Sequence, residues 1–295
     1  MAGETGTGTL TDALPEIVAD ARIIKEFEGV YRRTCDIKRQ KSGTGLTWTE
    51  FALNQLTGQD ITESTENRNY QTLSGTLLSI EPTMSQIIIK ITDRTYRKIA
   101  SVVTSKFGGL AGNAMARKQD EDYLALFSGF ATGCSPGTGT PLSYGHIASA
   151  ENRIVSNVTE PSNTEVYTVL HGFQMFDILI ELRAGIGTYT IQGGMTEEVF
   201  KKGFKGTIAN SNVFVDGNIT VDATPDANGA THSREGVVCV ESMDLKRETD
   251  RDMYYGGGAD VISLVAEYAF QERQSGTTQV WAWRHLSDAT APTSG

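Results

Sequence analysis

The residues best suited to acid–base or metal chemistry are four histidines, His146, His171, His232 and His285, and three consecutive carboxylates, Asp120, Glu121 and Asp122. Histidine ligands of a metal centre usually come in pairs a few residues apart, because one helix or turn must aim both at the ion. These four stand 25 or more residues apart. The three acids lie in a stretch with helical spacing, where successive side chains point in different directions. They read as a solvated charged face rather than as a paired acid and base. Phosphate cradling is no better served. GxxxxGK[ST] is absent, and Gly137-Thr138-Gly139 is followed by Leu142 where a dinucleotide loop needs its third glycine, with Pro141 spoiling the helix start. HExxH is absent too. Cys35, Cys134 and Cys239 are about a hundred residues apart, so they form no CxxC unit and read as core thiols. Trp281 and Trp283, two apart on one strand face, read as packing rather than as a stacking platform for bases or sugars. The sequence therefore predicts no catalytic residue, no cofactor and no metal site.

The chain that must position these residues has 295 of them, 39% hydrophobic, with 26 basic against 36 acidic side chains and a net charge of −10. That is enough for a buried core, and it disfavours a protein that wraps nucleic acid with its whole surface. No run of apolar residues is long enough to cross a membrane. Glu4, Asp12, Glu16 and Asp20 stand where a secretion signal would need a basic start and an apolar core, which predicts a cytosolic chain.

Along the chain, residues 1–9 are small and polar, and a helix is expected to open at Thr11 or Asp12 with Pro15 in its first turn. Residues 22–41 then gather Arg22, Lys25, Arg32, Arg33, Lys38, Arg39 and Lys41 against three acids, a local charge of +4. A solvated helix face, acidic neighbours and phosphate all remain open as partners for this block. From Gly43 to Asp93 the pattern turns to β-strand: alternating hydrophobes, abundant Thr and Ser, and turns at Gly58-Gln59-Asp60 and Glu81-Pro82-Thr83. Between Lys41 and Lys90 there is no lysine, and the local charge is −4. Opposite blocks on two extended elements suggest pairing between subunits, with Arg22, Lys25, Arg32 and Arg33 on one side and Trp48, Glu63 and Glu66 on the other. A long helix is expected over Leu110 to Phe130, with Ala116, Tyr123, Phe127 and Phe130 on its apolar side and Tyr123, Phe127 and Phe130 buried under a sheet. Gly133 to Pro141 reads as a connector. An α/β layer follows, with helices near 147–155 and 169–182, strands at 165–169 and 207–219, and a short helix capped by Thr196. Asp222 to Ser233 reads as a polar loop, and the rest as strands at 236–240, 260–273 and 278–284.

The order is a basic arm, a lysine-free hairpin, a long helix, an α/β layer and a return of long strands. Together with Gln86 to Ile99, Ala116 to Phe130, Gly206 to Ile219, Gly236 to Met253 and Leu264 to Arg273, it resembles the major capsid proteins of tailed double-stranded DNA phages, whose shell fold is named after phage Hong Kong 97. The resemblance implies an α+β fold with an N-terminal arm at 1–42, an extended loop at 43–80, a peripheral domain at 81–140 and 234–287, an axial domain at 141–233 and a tail at 288–295. It implies a non-enzymatic subunit that assembles with itself, as pentamers and hexamers, into an icosahedral shell. It also implies packaged double-stranded DNA on the inner face and portal, scaffolding and decoration proteins as partners. The protein would be found in the virion, and in the host cytoplasm during assembly, with no membrane involved. An encapsulin-like cargo compartment shares the implied fold, and a soluble β-rich ligand-binding protein or enzyme is the alternative from another class. The start of the chain shows no long acidic or coiled-coil prefix, so scaffolding is expected to be removed or separate.

Some members of that family lock their shells with an isopeptide bond from a loop lysine to a neighbour's asparagine, assisted by a glutamate. This chain has no lysine from Ser42 to Ile89 to supply the amine. Denaturing gels of assembled particles are therefore expected to show one band near 32.0 kDa. A covalent ladder that survives heat and reductant would refute this, and one abolished by reductant would point to the cysteines.

Overall fold

The computed structural model describes residues 29–41, 43, 45–64, 66, 68, 70–98, 101–186, 206–254 and 257–293, the side chains of 101–108 and 182–186 excepted. The helix expected near Thr11, the residues Arg22 and Lys25, and the short helix after Thr196 lie outside them.

Strands β1 (Asp36–Arg39), β4 (Thr83–Thr92), β9 (Val237–Asp252) and β10 (Ala259–Glu272) form a first sheet in the order β1-β9-β10-β4. Strands β5 (Val166–Leu170), β6 (Thr207–Ile208), β7 (Ser211–Val215), β8 (Asp226–Ser233) and β11 (Ala282–Asp288) form a second, β11-β8-β5-β7-β6. A separate ribbon pairs β2 (Trp48–Leu53) with β3 (Gly75–Ile80). The helices are α1 (Tyr31–Thr34), α2 (Asp93–Lys98), α3 (Ser101–Ala125), α4 (Tyr144–Val155) and α5 (Gly172–Ile186).

The first sheet follows from alternation. Ile262, Leu264, Ala266 and Tyr268 of β10 are buried two apart, and Ile87, Ile89 and Ile91 of β4 join Ile262, Leu264 and Ala111 in one cluster. Helix α3 lies over that cluster and runs on to the second sheet. It begins at Ser101, nine residues before the expected start, because Gly108 and Gly109 are inside it rather than breaking it. Each such glycine costs about 1 kcal/mol against alanine, a weak preference that packing overrides. The buried stripe also differs from the expected one: Ala116 is exposed, and Ala111, Met115, Asp120, Tyr123 and Leu124 are buried. The charged trio therefore divides, with Asp120 in the core while Glu121 and Asp122 pair with Arg117 and Lys118 one turn back. After Ala125 the helix tightens into a 3-10 turn, Leu126–Gly129.

That end of the helix is where the two sheets meet. Tyr123, Phe127 and Phe130 are buried among Val237 and Cys239 of β9, Ala227 and Ala230 of β8, and Val30, Tyr31 and Cys35 of the incoming chain. Tyr123 stands edge-on to Phe127 with centroids 5.0 Å apart, and its hydroxyl meets His232 Nε2 at 2.6 Å.

The second sheet holds the largest departures from expectation. Residues 222–233 were expected as a polar loop, yet 226–233 form a buried inner strand. A ladder of side chains makes that burial tolerable: Ser211 of β7 meets Thr168 of β5 at 2.7 Å, Thr168 meets Thr231 of β8 at 2.7 Å, and Thr231 meets His285 of β11 at 2.8 Å. All four residues are fully buried. Burial pushes both the His232 and the His285 imidazole down to about 4, so each is neutral at ordinary pH. At Gly229 a Cβ would fall 2.6 Å from Leu170 Cδ2, which is why the polar strand also has to be thin there. The strand expected over 207–219 is instead two strands folded back at Ala209 and Asn210, both left-handed with φ 46° and 63°. The strand expected at 278–284 runs from Ala282 to Asp288 and pairs with β8, so residues 282–288 belong with the second sheet. Trp281 and Trp283 both lie in the core, beside Ala131, Cys134, Ala150 and Ile154.

Phe127→Ala should lower stability by about 3 to 5 kcal/mol, since it empties a filled site at the junction. Urea unfolding of the full chain would show it, and an unchanged midpoint would refute the packing described.

Candidate assembly surfaces

A two-stranded ribbon is at best marginally stable alone. The β2–β3 ribbon is seated at its base only, where Trp48, Leu78 and Ile80 pack on Val238, Val240 and Ala269 of the first sheet. The register places Trp48 opposite Ile80 and Glu50 opposite Leu78 on that inner face. Because strand side chains alternate, Phe51, Leu53 and Leu77 face the other way. Phe51 lies directly opposite Leu77, and the two are 59% and 60% exposed. Phe51 also leans over Gly75, where a Cβ would come 2.5 Å from its Cζ. Leu56, Ile61, Tyr70 and Leu73 continue the exposed apolar surface along residues 54–74. Exposed hydrophobes this dense on one element mark an interaction surface.

The ribbon is tied to the body by Arg273, which is only 10% exposed. Its guanidinium reaches Asp36 at 2.7 Å, Glu50 at 3.0 Å and the Glu235 carbonyl at 2.9 Å, joining β1, β2 and the end of β10. Burial alone would raise Asp36, but hydrogen bonds from Arg273 and Lys38 outweigh it and hold the carboxyl below its usual value.

Arg32 and Arg33, expected to reach a neighbour, sit on α1. Arg32 is paired within its own chain, 3.1 Å from the buried Glu241, which also meets Arg39 at 3.7 Å. Arg33 is exposed. Trp48 is half-buried at the ribbon base, while Glu63 and Glu66 are exposed, Glu66 beside Arg68 at 2.8 Å. Tyr123, Phe127 and Phe130 are in the junction core. Sequence reasoning missed Phe51 and Leu77 as an outward pair, whose signal was the strand alternation itself, and Arg273, whose two carboxylate partners are more than 200 residues away. It also passed over Gly133-Cys134-Ser135-Pro136-Gly137, which fits the Gly-x-Ser-x-Gly pattern of serine hydrolases. The Ser135 hydroxyl donates to the Leu286 carbonyl at 2.9 Å and accepts its N–H at 2.8 Å. The segment is a loop, without the strand-to-helix elbow that exposes such a nucleophile. Among the described residues no three His, Cys, Asp or Glu side chains are placed to hold a metal ion, and no helix is long and apolar enough to cross a membrane.

No protein family's sequence pattern matches the chain, and no curated protein matches it by sequence. Solved structures do match. The capsid structure of cyanophage P-SCSP1u aligns over 97% of this chain and 96% of its own, with a TM-score of 0.69 at 13% identity. The head structure of Helicobacter pylori bacteriophage KHP40 aligns over 97% and 98%, with a TM-score of 0.68 at 12% identity. A chain of Microbacterium phage Oxtober96 aligns over 97% and 100%, with a TM-score of 0.65 at 14% identity. The chain therefore has the mixed α+β fold of phage capsid and head proteins, end to end.

Arg273→Ala leaves Asp36 and Glu50 without their shared partner and should lower stability by roughly 1.5 to 3 kcal/mol. It should also speed proteolytic nicking within 54–74, and a cleavage rate equal to wild type would show that the arginine does not hold the ribbon.

Proposed function

We propose that this protein is the major capsid protein of a tailed double-stranded DNA phage, a non-enzymatic subunit that assembles with itself into an icosahedral shell around the genome. The observation that carries the proposal is end-to-end likeness to capsid and head chains combined with a ribbon whose outward face is apolar. In this reading the shell is of the Hong Kong 97 type. Residues 1–42 are the arm and 43–80 the extended loop. The peripheral domain is 81–140 with 234–281, and the axial domain is 141–233 with 282–288. Pentamers and hexamers form when the Phe51–Leu77 face of one subunit is covered by the next, and many such contacts add through multivalency so that none needs to be tight. Arg22, Lys25 and Arg33 are the arm cations assigned in this reading to a neighbour or to packaged DNA, where contacts would be phosphate-directed and independent of base sequence. Glu63 and Glu66 are the loop's counterparts. Portal, scaffolding and decoration proteins are the further partners, and the virion is the destination after assembly in the host cytoplasm.

The double variant Phe51→Ser, Leu77→Ser should keep the melting behaviour of the isolated subunit while weakening each subunit contact roughly tenfold or more, enough to abolish particles in electron micrographs. Wild-type protein that stays a monomer near 32.0 kDa under all salt and crowding conditions would sink the proposal.

A further inference from the structure

Asp120 is an acid with no exposed surface. Its Oδ1 accepts the Val30 N–H at 2.9 Å, and its Oδ2 accepts an N–H of the Asn218 side chain at 3.0 Å. Beside it Asp216, just after β7, is equally buried. Asp216 Oδ1 accepts the Asn218 backbone N–H at 2.8 Å. Its Oδ2 has no hydrogen-bond partner among the described residues, and Asn218, which donates its backbone N–H to Asp216 and its side-chain amide to Asp120, holds the two carboxyls side by side. Two carboxylates so placed in a dry site repel strongly, whereas one proton between them makes a short charge-assisted bond and gives the orphaned oxygen a role.

We propose that Asp120 and Asp216 share a single proton, and that this proton latches residues 29–35 onto the junction between the two sheets. The latch joins three parts of the chain: the incoming segment through Val30, helix α3 through Asp120, and the second sheet through Asp216 and Asn218. Gly29 fits so closely that a Cβ there would lie 2.8 Å from Asp120 Oδ1. The surrounding titratable groups are Tyr31 and Cys35 on the incoming segment, Tyr123 on α3, His232 on β8 and, beyond Cys35, Cys239 on β9. None supplies a positive charge at neutral pH: burial holds His232 neutral and pushes the Tyr123 and Cys35 protons off only well above their usual range. Among the described residues, those acting on Asp216 are Asp120 and Asn218, neither of them a cation.

Burial first, and then the adjoining Asp120, raise Asp216 to about 7, against about 3.9 for an unfolded aspartate. The folded state thus holds the proton across that interval. Its stabilising contribution is fully present below about pH 4 and is lost as the pH rises through about 7. His232 and His285 act in the opposite sense, because their contribution is lost as the pH falls toward 4. A wild-type melting curve mixes the two effects, so the test is local and comparative. The inference goes beyond the capsid reading and does not depend on it.

Hydrogen-exchange protection factors for residues 30–35 of the full chain, corrected for intrinsic rates, provide that test. Wild-type protection should fall about tenfold or more between about pH 6 and 8, whereas Asp216→Asn, whose amide donates to Asp120 with no proton to lose, should hold within about twofold. Gly29→Ala should lose protection at every pH. Equal pH courses for wild type and Asp216→Asn, or a flat course in wild type, would overturn the proposal. If Asp216→Asn does not fold, the infrared band of a protonated carboxyl decides. It is read in a Glu272→Gln background, because burial raises Glu272 to about 7 as well. A band present near pH 6 and gone near pH 8 supports the shared proton, and its absence at pH 6 overturns it.

Discussion

The fold hangs from the last turns of one helix. Tyr123, Phe127 and Phe130 fill the space between two sheets that otherwise touch little, and the incoming chain, β8 and β9 all close on the same three rings. Aromatic side chains suit that task, since each buries a large area; Tyr123 meets Phe127 edge-on, and Phe127 meets Phe130 at a tilt. Remove the wedge and neither sheet retains a complete inner face. Further back along α3, Ala111 and Met115 pack on β4 and β10, so the same helix touches both sheets.

How much of this was legible depends on where the stabilising contacts lie. β4, β10 and the helix after Leu110 declare themselves because their cores are built from Ile, Leu, Val and aromatic residues at regular spacing. β8 does not, because Asp226-Ala-Asn-Gly-Ala-Thr-His-Ser233 is stabilised by hydroxyl and imidazole groups on strands far away in sequence. Asp120 was hidden for a related reason: beside Glu121 and Asp122 it looks like one more surface acid, and only the approach of Val30 and Asn218 makes a buried carboxyl tenable. The ribbon was legible as a ribbon from its alternation. Which of its faces looks outward was not, because register depends on where Trp48 and Ile80 find the first sheet.

Charge follows the same division. The acidic loop and basic arm look like complementary halves of an intersubunit contact, yet Glu50 is taken by Arg273 and Arg32 by Glu241 inside one chain. Among the described residues the ribbon still exposes Phe51, Leu53, Leu56, Ile61, Tyr70, Leu73 and Leu77, and Arg33 and Glu63 are exposed as well. Apolar contact is not weakened by charge screening, whereas exposed ion pairs are screened within about 10 Å at 0.1 M ionic strength. Were the proposed subunit contact built on that apolar surface, raising the salt would not weaken it as it weakens exposed ion pairs.

The ladder across the second sheet also has a direction. His285 Nδ1 faces the Cys134 carbonyl at 3.0 Å, and a carbonyl can only accept. In the neutral ring Nε2 must then accept from Thr231, Thr231 in turn accepts from Thr168, and Thr168 accepts from Ser211. Four strands therefore share one row of hydroxyls all oriented toward β11. Adding a proton to His285 turns Nε2 into a donor, which forces every hydroxyl in the row to rotate and leaves Ser211 to find the Val166 carbonyl at 3.5 Å, a poor acceptor at that distance. A single imidazole at the sheet edge thus sets the polarity of hydrogen bonds three strands away.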